Sequence, residues 1–293
     1  MANPVPVSYN LSQPASQLAP IVVNSPHSGR FYSKEFVQQS RLNNQSIRRS
    51  EDFLVDELVK SAVDCGFPLL SANYPRAYLD VNREPFELDP AMFDHKLPDY
   101  VNTRSIRVSS GLGTVPKIVA EGENIYAERL PVSDALERVE QIYKPYHDKL
   151  RHILAQTHLK FGLAILLDFH SMPSTRTVTE KYGRADIVLG DRFGSSCSPK
   201  IVYQARAAFE QLGYRTEVNR PYAGGFITEH YGRPFNGLHA LQIEINRSLY
   251  MDEIMIRESE GFNKLSSDIG EFFELFLELD WSDLQGNQPL AAE

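Results

Sequence analysis

The chain has 293 residues, 42% of them hydrophobic and 23% charged, the make-up of an ordinary globular protein, and we expect a single domain over 1–293 with its core at about 20–280. A formal net charge of −8 and a pI near 5.6 argue against a nucleic-acid partner, because phosphate binding needs a basic surface. No apolar run approaches the roughly 18 residues that span a bilayer, and the start of the chain lacks a basic stretch followed by an apolar one, so no membrane contact and a cytoplasmic location are expected.

Taken in chain order, the first twenty residues are of low complexity and a strand is predicted over 21–24. Residues 52–63 place Phe53, Leu54, Leu58, Val59 and Val63 at helical spacing, with Ser50 as the N-cap, and a second strand follows over 68–73. The stretch 83–122, rich in Pro, Asp, Asn and Gly, is expected to be a long surface loop outside the sheet. A long amphipathic helix over 132–159, interrupted at Pro145, leads to a strand over 164–169 with the apolar character of one buried on both faces. Strands over 186–189 and 239–245, helices over 199–212 and 252–277, and a glycine-containing loop over 219–236 complete the pattern. Such βα alternation predicts an α/β fold with three αβα layers and a mostly parallel, mixed sheet.

Two histidines sit just past apolar strand-like runs: His27 in Ser25-Pro26-His27-Ser28-Gly29 and His170 in Asp168-Phe169-His170-Ser171. Strand ends of a mostly parallel sheet are where such folds place their chemistry, and the small residues that follow leave room beside each imidazole. Two such histidines from distant segments suit a metal site. Arg76 and Asp80-Val81-Asn82-Arg83 follow the second strand, and a guanidinium fork is the best side chain for holding a carboxylate. Glu244 lies within the apolar run Leu241-Gln242-Ile243-Glu244-Ile245, where an unpaired carboxylate is costly, so it must be paired, solvated in a cleft or catalytic. His147, His152 and His158 fall on the long helix at spacings that do not align them, and a solvated face is expected for them; His95 is expected to be exposed. Cys65 and Cys197, the only cysteines, indicate neither a disulfide framework nor a thiolate metal site.

The order Ser25-Pro26-His27-Ser28-Gly29, Ser50-Glu51-Asp52, Arg76 with Asp80-Val81-Asn82-Arg83, Asp168-Phe169-His170-Ser171 and Gln242-Ile243-Glu244-Ile245-Asn246-Arg247 resembles the N-formylglutamate amidohydrolase family. That family is related to the zinc carboxypeptidases and to the aspartoacylase and succinylglutamate desuccinylase enzymes. The resemblance implies a zinc-exopeptidase (carboxypeptidase)-like fold and one Zn2+ ion bound by His27 and His170. Carboxypeptidase relatives supply a Glu three residues after the first His, but Arg30 stands there. The third ligand is therefore sought in Asp52, with Glu51 as the alternative. By the same resemblance Glu244 is the general base, Arg76 steadies the oxyanion and Asn82 with Arg83 grips a substrate carboxylate. A second carboxylate calls for another arginine, Arg220 or Arg184, and Gly225 and Thr228 are placed along the pocket. The donor types also suit nickel, cobalt or manganese.

The activity implied is hydrolysis of N-formyl-L-glutamate to formate and L-glutamate, a step of histidine degradation, on a small anionic substrate. The alternatives are a related zinc amidase or carboxypeptidase-like hydrolase acting on another N-acyl amino acid or peptide, and a non-catalytic protein that binds acidic amino acids. The sequence leaves the oligomeric state open.

Overall fold

The computed structural model describes residues 6–120, 122–174, 178–179, 183–278 and 284. Seven strands form the main sheet: β1 (Tyr9–Ser12), β2 (Ile21–Ser25), β3 (Leu69–Ala72), β4 (Ala164–Met172), β5 (Ile187–Gly190), β6 (Thr216–Val218) and β7 (Leu238–Asn246). Their order across the sheet is β1-β3-β2-β4-β7-β5-β6. The pairs β2–β3, β2–β4, β4–β7 and β5–β6 are parallel, whereas β1–β3 and β5–β7 are antiparallel. Every residue of β2, β3, β4 and β5 is buried, as expected for strands covered on both faces.

Helices supply that cover, apart from the short α1 (Lys34–Gln39), whose Phe36 is buried in a small separate cluster. One face packs against α2 (Val55–Leu58), α6 (Pro199–Gln211) and α8 (Gly261–Leu277), whose Leu265, Ile269, Phe272, Phe273 and Phe276 are buried at helical spacing. The other packs against α4 (Val132–Arg138), α5 (Lys144–Phe161) and α7 (Phe226–Tyr231). Between α4 and α5 a π-helical segment, Val139–Tyr143, precedes Pro145, so the predicted interruption takes the form of a wider turn. The result is a three-layer α/β fold with a mixed, mostly parallel sheet.

Several stretches depart from the sequence reading. The helix expected over 52–63 contracts to α2 and a 3-10 turn, Lys60–Ala62, and Ser50 does not cap it: Leu54 precedes α2 with φ 52° and no side-chain cap. Tertiary bonding overrides the local pattern, since the Asp52 N–H donates to the His27 carbonyl at 3.1 Å and holds the chain out of a helical turn. The low-complexity start includes edge strand β1, and the loop over 219–236 includes α7. The helix expected over 252–277 begins only at Gly261, because Met251–Asp252 and Arg257–Glu258 form a small hairpin. The stretch 83–122 stays outside the main sheet but is packed: Leu88, Met92, Phe93, Leu97 and Val101 are buried in the second core, and it carries α3 (Ile106–Ser109).

Topology directs where the chemistry sits. From β2 the chain moves outward on one side to β3, then crosses back over β2 to β4 on its other side. The carboxyl ends of β2 and β4 therefore flank a switch point, the place where open α/β sheets form a crevice. His27 lies two residues beyond β2, and His170 lies near the end of β4.

Candidate metal centre and substrate cleft

His27, Asp52 and His170 are buried together, and one ligand atom from each lies within 4.8 Å of the other two. His170 Nδ1 is 3.0 Å from His27 Nδ1 and 3.1 Å from Asp52 Oδ2, and His27 Nδ1 is 3.4 Å from the same oxygen. On the far side of each ring, His27 Nε2 faces Asp80 Oδ1 at 2.8 Å and His170 Nε2 faces Asp168 Oδ2 at 3.0 Å. A carboxylate accepts only, so each Nε2 carries a proton toward its carboxylate, and each Nδ1 faces inward as the nitrogen that would ligate a metal ion. The three ligand atoms converge on one another; a proton between His170 Nδ1 and Asp52 Oδ2 holds that contact here, and a metal cation could take its place. Tetrahedral zinc with bonds of about 2.0–2.1 Å separates neighbouring ligand atoms by about 3.3 Å, close to the spacings found here. The donor set fits a divalent metal ion.

The surrounding shell is complete. Asp168 Oδ1 accepts from Asn24 Nδ2 at 2.7 Å, and Asn24 Oδ1 in turn accepts from the Tyr146 hydroxyl at 2.5 Å. Asp80 receives Arg76 Nη2 at 2.7 Å and the Asn82 N–H at 2.9 Å. Burial alone drives the Asp80 carboxyl up, but Arg76, Arg83 and His27 outweigh it and hold it well below the ordinary range. The second oxygen of Asp52 accepts from Arg247 Nη2 at 3.1 Å and Ser171 Oγ at 3.3 Å. Carboxylates behind metal-binding imidazoles fix ring orientation and raise basicity. Glu51 takes no part: it pairs with Arg48, both contacts at 2.9 Å, and with the Tyr32 hydroxyl at 3.1 Å.

Glu244 stands in register with His170 on the neighbouring parallel strand and is 8% exposed at the floor of the cleft. Its Oε1 accepts from Gln242 Nε2 at 2.9 Å. Burial, assisted by the Asp52 charge and opposed by His170 and Arg76, pushes its carboxyl up to about 7.

The cleft above these groups has a volume of about 460 Å3. Arg76, Asn82, Arg83 and Gly225 line it, joined by Arg107 and Leu112 from the 83–122 segment. Arg83 donates from Nε to the Leu112 carbonyl and from Nη1 to the Asn82 carbonyl, both at 2.7 Å. Asn82 Oδ1 accepts the Ile227 N–H at 2.7 Å, and a Cβ on Gly225 would lie 2.4 Å from Asn82 Nδ2, so glycine there is a requirement of close approach. Two expectations need correction. Arg220 is exposed and does not line the cleft, and Thr228 is buried on α7 away from the lining; α7 turns Thr228 into the packed side of the helix. The side chain of Arg184 lies outside the described residues.

His147, expected on a solvated face, is buried beneath the site. Its Nε2 donates to the Val81 carbonyl at 2.8 Å and its Nδ1 meets the Tyr231 hydroxyl at 2.9 Å. Burial holds its pKa down at about 4. The imidazole thus ties α5 and α7 to the Asp80–Arg83 turn. The sequence reading also gave no role to Arg247 or Arg107. Arg247 lies three residues beyond Glu244, and Arg107 follows the Ser105 cap of α3, a brief helix signal inside a stretch read as loop.

Known proteins resemble this chain over most of its length. The family profile for N-formylglutamate amidohydrolase matches residues 19–251. The N-formylglutamate deformylase of Pseudomonas putida is 30% identical over 237 residues, covering 80% of this chain and 82% of that protein. Its counterpart from Pseudomonas aeruginosa is 26% identical over the same length, covering 80% and 83%. The crystal structure of N-formylglutamate amidohydrolase from Ralstonia eutropha superposes with a TM-score of 0.88 at 32% identity, covering 93% of this chain and 98% of that one. The chain belongs to the N-formylglutamate amidohydrolase family.

Proposed function

We propose that this protein hydrolyses the amide of N-formyl-L-glutamate to formate and L-glutamate, using one zinc ion held by His27, Asp52 and His170. The observation that carries the reading is the convergence of two imidazoles and a carboxylate beside Glu244, in an arginine-lined cleft. A divalent ion in such a site supplies Lewis acidity to an amide carbonyl and to water. Two imidazoles and a carboxylate are the usual protein share of a catalytic zinc site.

Gln242 holds one oxygen of Glu244, and the other takes the proton of the attacking water and returns it to the departing amine nitrogen. A carboxyl near 7 suits both transfers at neutral pH. Arg76, within electrostatic reach of Glu244, brings positive charge to where the formyl oxygen becomes an oxyanion. Arg83, with Asn82 beside it, takes a substrate carboxylate. A protein that only bound acidic amino acids would need neither the buried donor triad nor Glu244. We place the enzyme in the cytoplasm, in histidine degradation; among the described residues no helix is long and apolar enough to cross a membrane.

The test is formate release from N-formyl-L-glutamate, with N-acetyl and N-succinyl derivatives alongside. The expected result is turnover of the formyl compound that chelator abolishes and added zinc restores. Lack of formate release with any divalent ion, or turnover indifferent to chelator, rejects the reading.

A further inference from the structure

Positive charge in the cleft exceeds what the donor triad and Glu244 require. Among the described residues, Arg49, Arg76, Arg83, Arg107 and Arg247 line it, against the carboxylates of Asp52, Asp80 and Glu244. Most of these guanidinium groups are committed. Arg247 donates to Asp52, to Ser171 Oγ at 3.1 Å and to the carbonyls of Arg49 and Glu51 at 3.0 and 2.8 Å. Arg76 bonds Asp80, Arg49 bonds Glu123, and Arg83 spends two N–H groups on backbone carbonyls. Arg107 differs. Its ion partner among the described residues, Glu87 Oε2, is 3.7 Å away, beyond hydrogen-bond distance, and its side chain is 31% exposed.

The backbone beneath Arg107 is nevertheless fixed. Ser105 Oγ caps α3 by accepting the Val108 N–H at 3.1 Å, Val108 is buried, and the Leu112 N–H donates to the Arg107 carbonyl at 2.8 Å. Beyond it, Thr114 exchanges bonds of 2.8 Å with the backbone of Glu87 and Asp80, and Gly113 passes so close that a Cβ would lie 2.2 Å from the Glu87 carbonyl oxygen. Arg83 is anchored to the same stretch through Leu112. Burial, with the charges of Arg76 and Arg107, presses the Arg83 pKa down against the pull of Asp80. Two guanidinium groups in a partly dry cleft repel each other until an anion lies between them.

We propose that Arg107 is a specificity-determining residue: Arg83 takes one carboxylate of the substrate and Arg107 the other, so the cleft selects dicarboxylic N-acyl amino acids over neutral ones of the same shape. This rests on the hydrolase reading above. N-formyl-L-glutamine is the diagnostic competitor, since it keeps the shape of the substrate and replaces the side-chain carboxylate by an amide.

The experiment measures kcat/KM of the zinc-loaded wild type, R107A and R107K on N-formyl-L-glutamate and N-formyl-L-glutamine. In R107A the preference for the glutamate compound is expected to fall on the order of 10²-fold, mainly through KM, and R107K recovers part of it. An unchanged ratio in R107A overturns the assignment even if both activities drop. Should the wild type release formate from neither compound, the hydrolase reading fails separately, and calorimetric binding of glutarate decides the role of Arg107. A Kd at least 10-fold weaker in R107A supports a carboxylate site there; equal binding overturns it.

Discussion

Replacing His147 by glutamine is expected to flatten the pH dependence of stability. Burial holds His147 at about 4 in the folded protein, against about 6.5 for an imidazole in an unfolded chain. Between those values the unfolded chain binds a proton that the native state does not. This contribution is complete above about pH 6.5 and is lost as the pH falls towards 4. For that pair of values, the wild type loses about 2 kcal/mol between about pH 7.5 and pH 5 on account of this residue alone. Glutamine retains an N–H for the Val81 carbonyl and does not titrate. Urea unfolding of both proteins at about pH 7.5, 6 and 5 tests this: the stability difference should change by about 2 kcal/mol, roughly 0.7–1 M in midpoint for m of about 2–3 kcal/mol/M. Parallel stability curves would refute the assignment of a neutral, buried imidazole holding Val81.

Other outcomes follow from the site. Glu244→Gln should lower kcat by on the order of 10²-fold or more while leaving metal content intact; unchanged turnover by formate assay removes Glu244 from proton transfer. Asp168→Asn turns one carboxylate oxygen into an amide facing either His170 Nε2 or Asn24 Nδ2, both donors in the wild type. Zinc affinity, measured by competition with a chromophoric chelator, should weaken by about 10–100-fold, and wild-type affinity would show that Asp168 does not support His170.

The sheet and its site-bearing ends were largely legible, because β2, β4 and β7 are apolar runs and each delivers a polar residue at or near its end: His27, His170 and Glu244. The sequence favours Asp52 over Glu51 and the structure sets Asp52 beside the histidines, but not through the Ser50 helix cap expected there. The two are adjacent but face opposite ways, one toward Arg48 and Tyr32 and the other toward the histidines, and only the fold sets which faces inward. His147 misled for a related reason: helical spacing reports neighbours on the same helix, whereas its partner is a backbone carbonyl from a turn 66 positions away. Arg107 was hidden because 83–122 has no apolar period, its order coming from stitches such as Asp80 to Thr114 and Arg83 to Leu112.

Asp80 serves two masters. The same carboxylate accepts from His27 Nε2 and from Arg76, and faces Arg83 Nη2 at 3.5 Å. An anion that draws Arg83 away leaves Asp80 with less competition for the His27 N–H, which makes Nδ1 a stronger donor. For the proposed ion and carboxylate the two affinities would therefore be linked, and the linkage reciprocal: whatever factor one ligand contributes to the other's binding is returned in full.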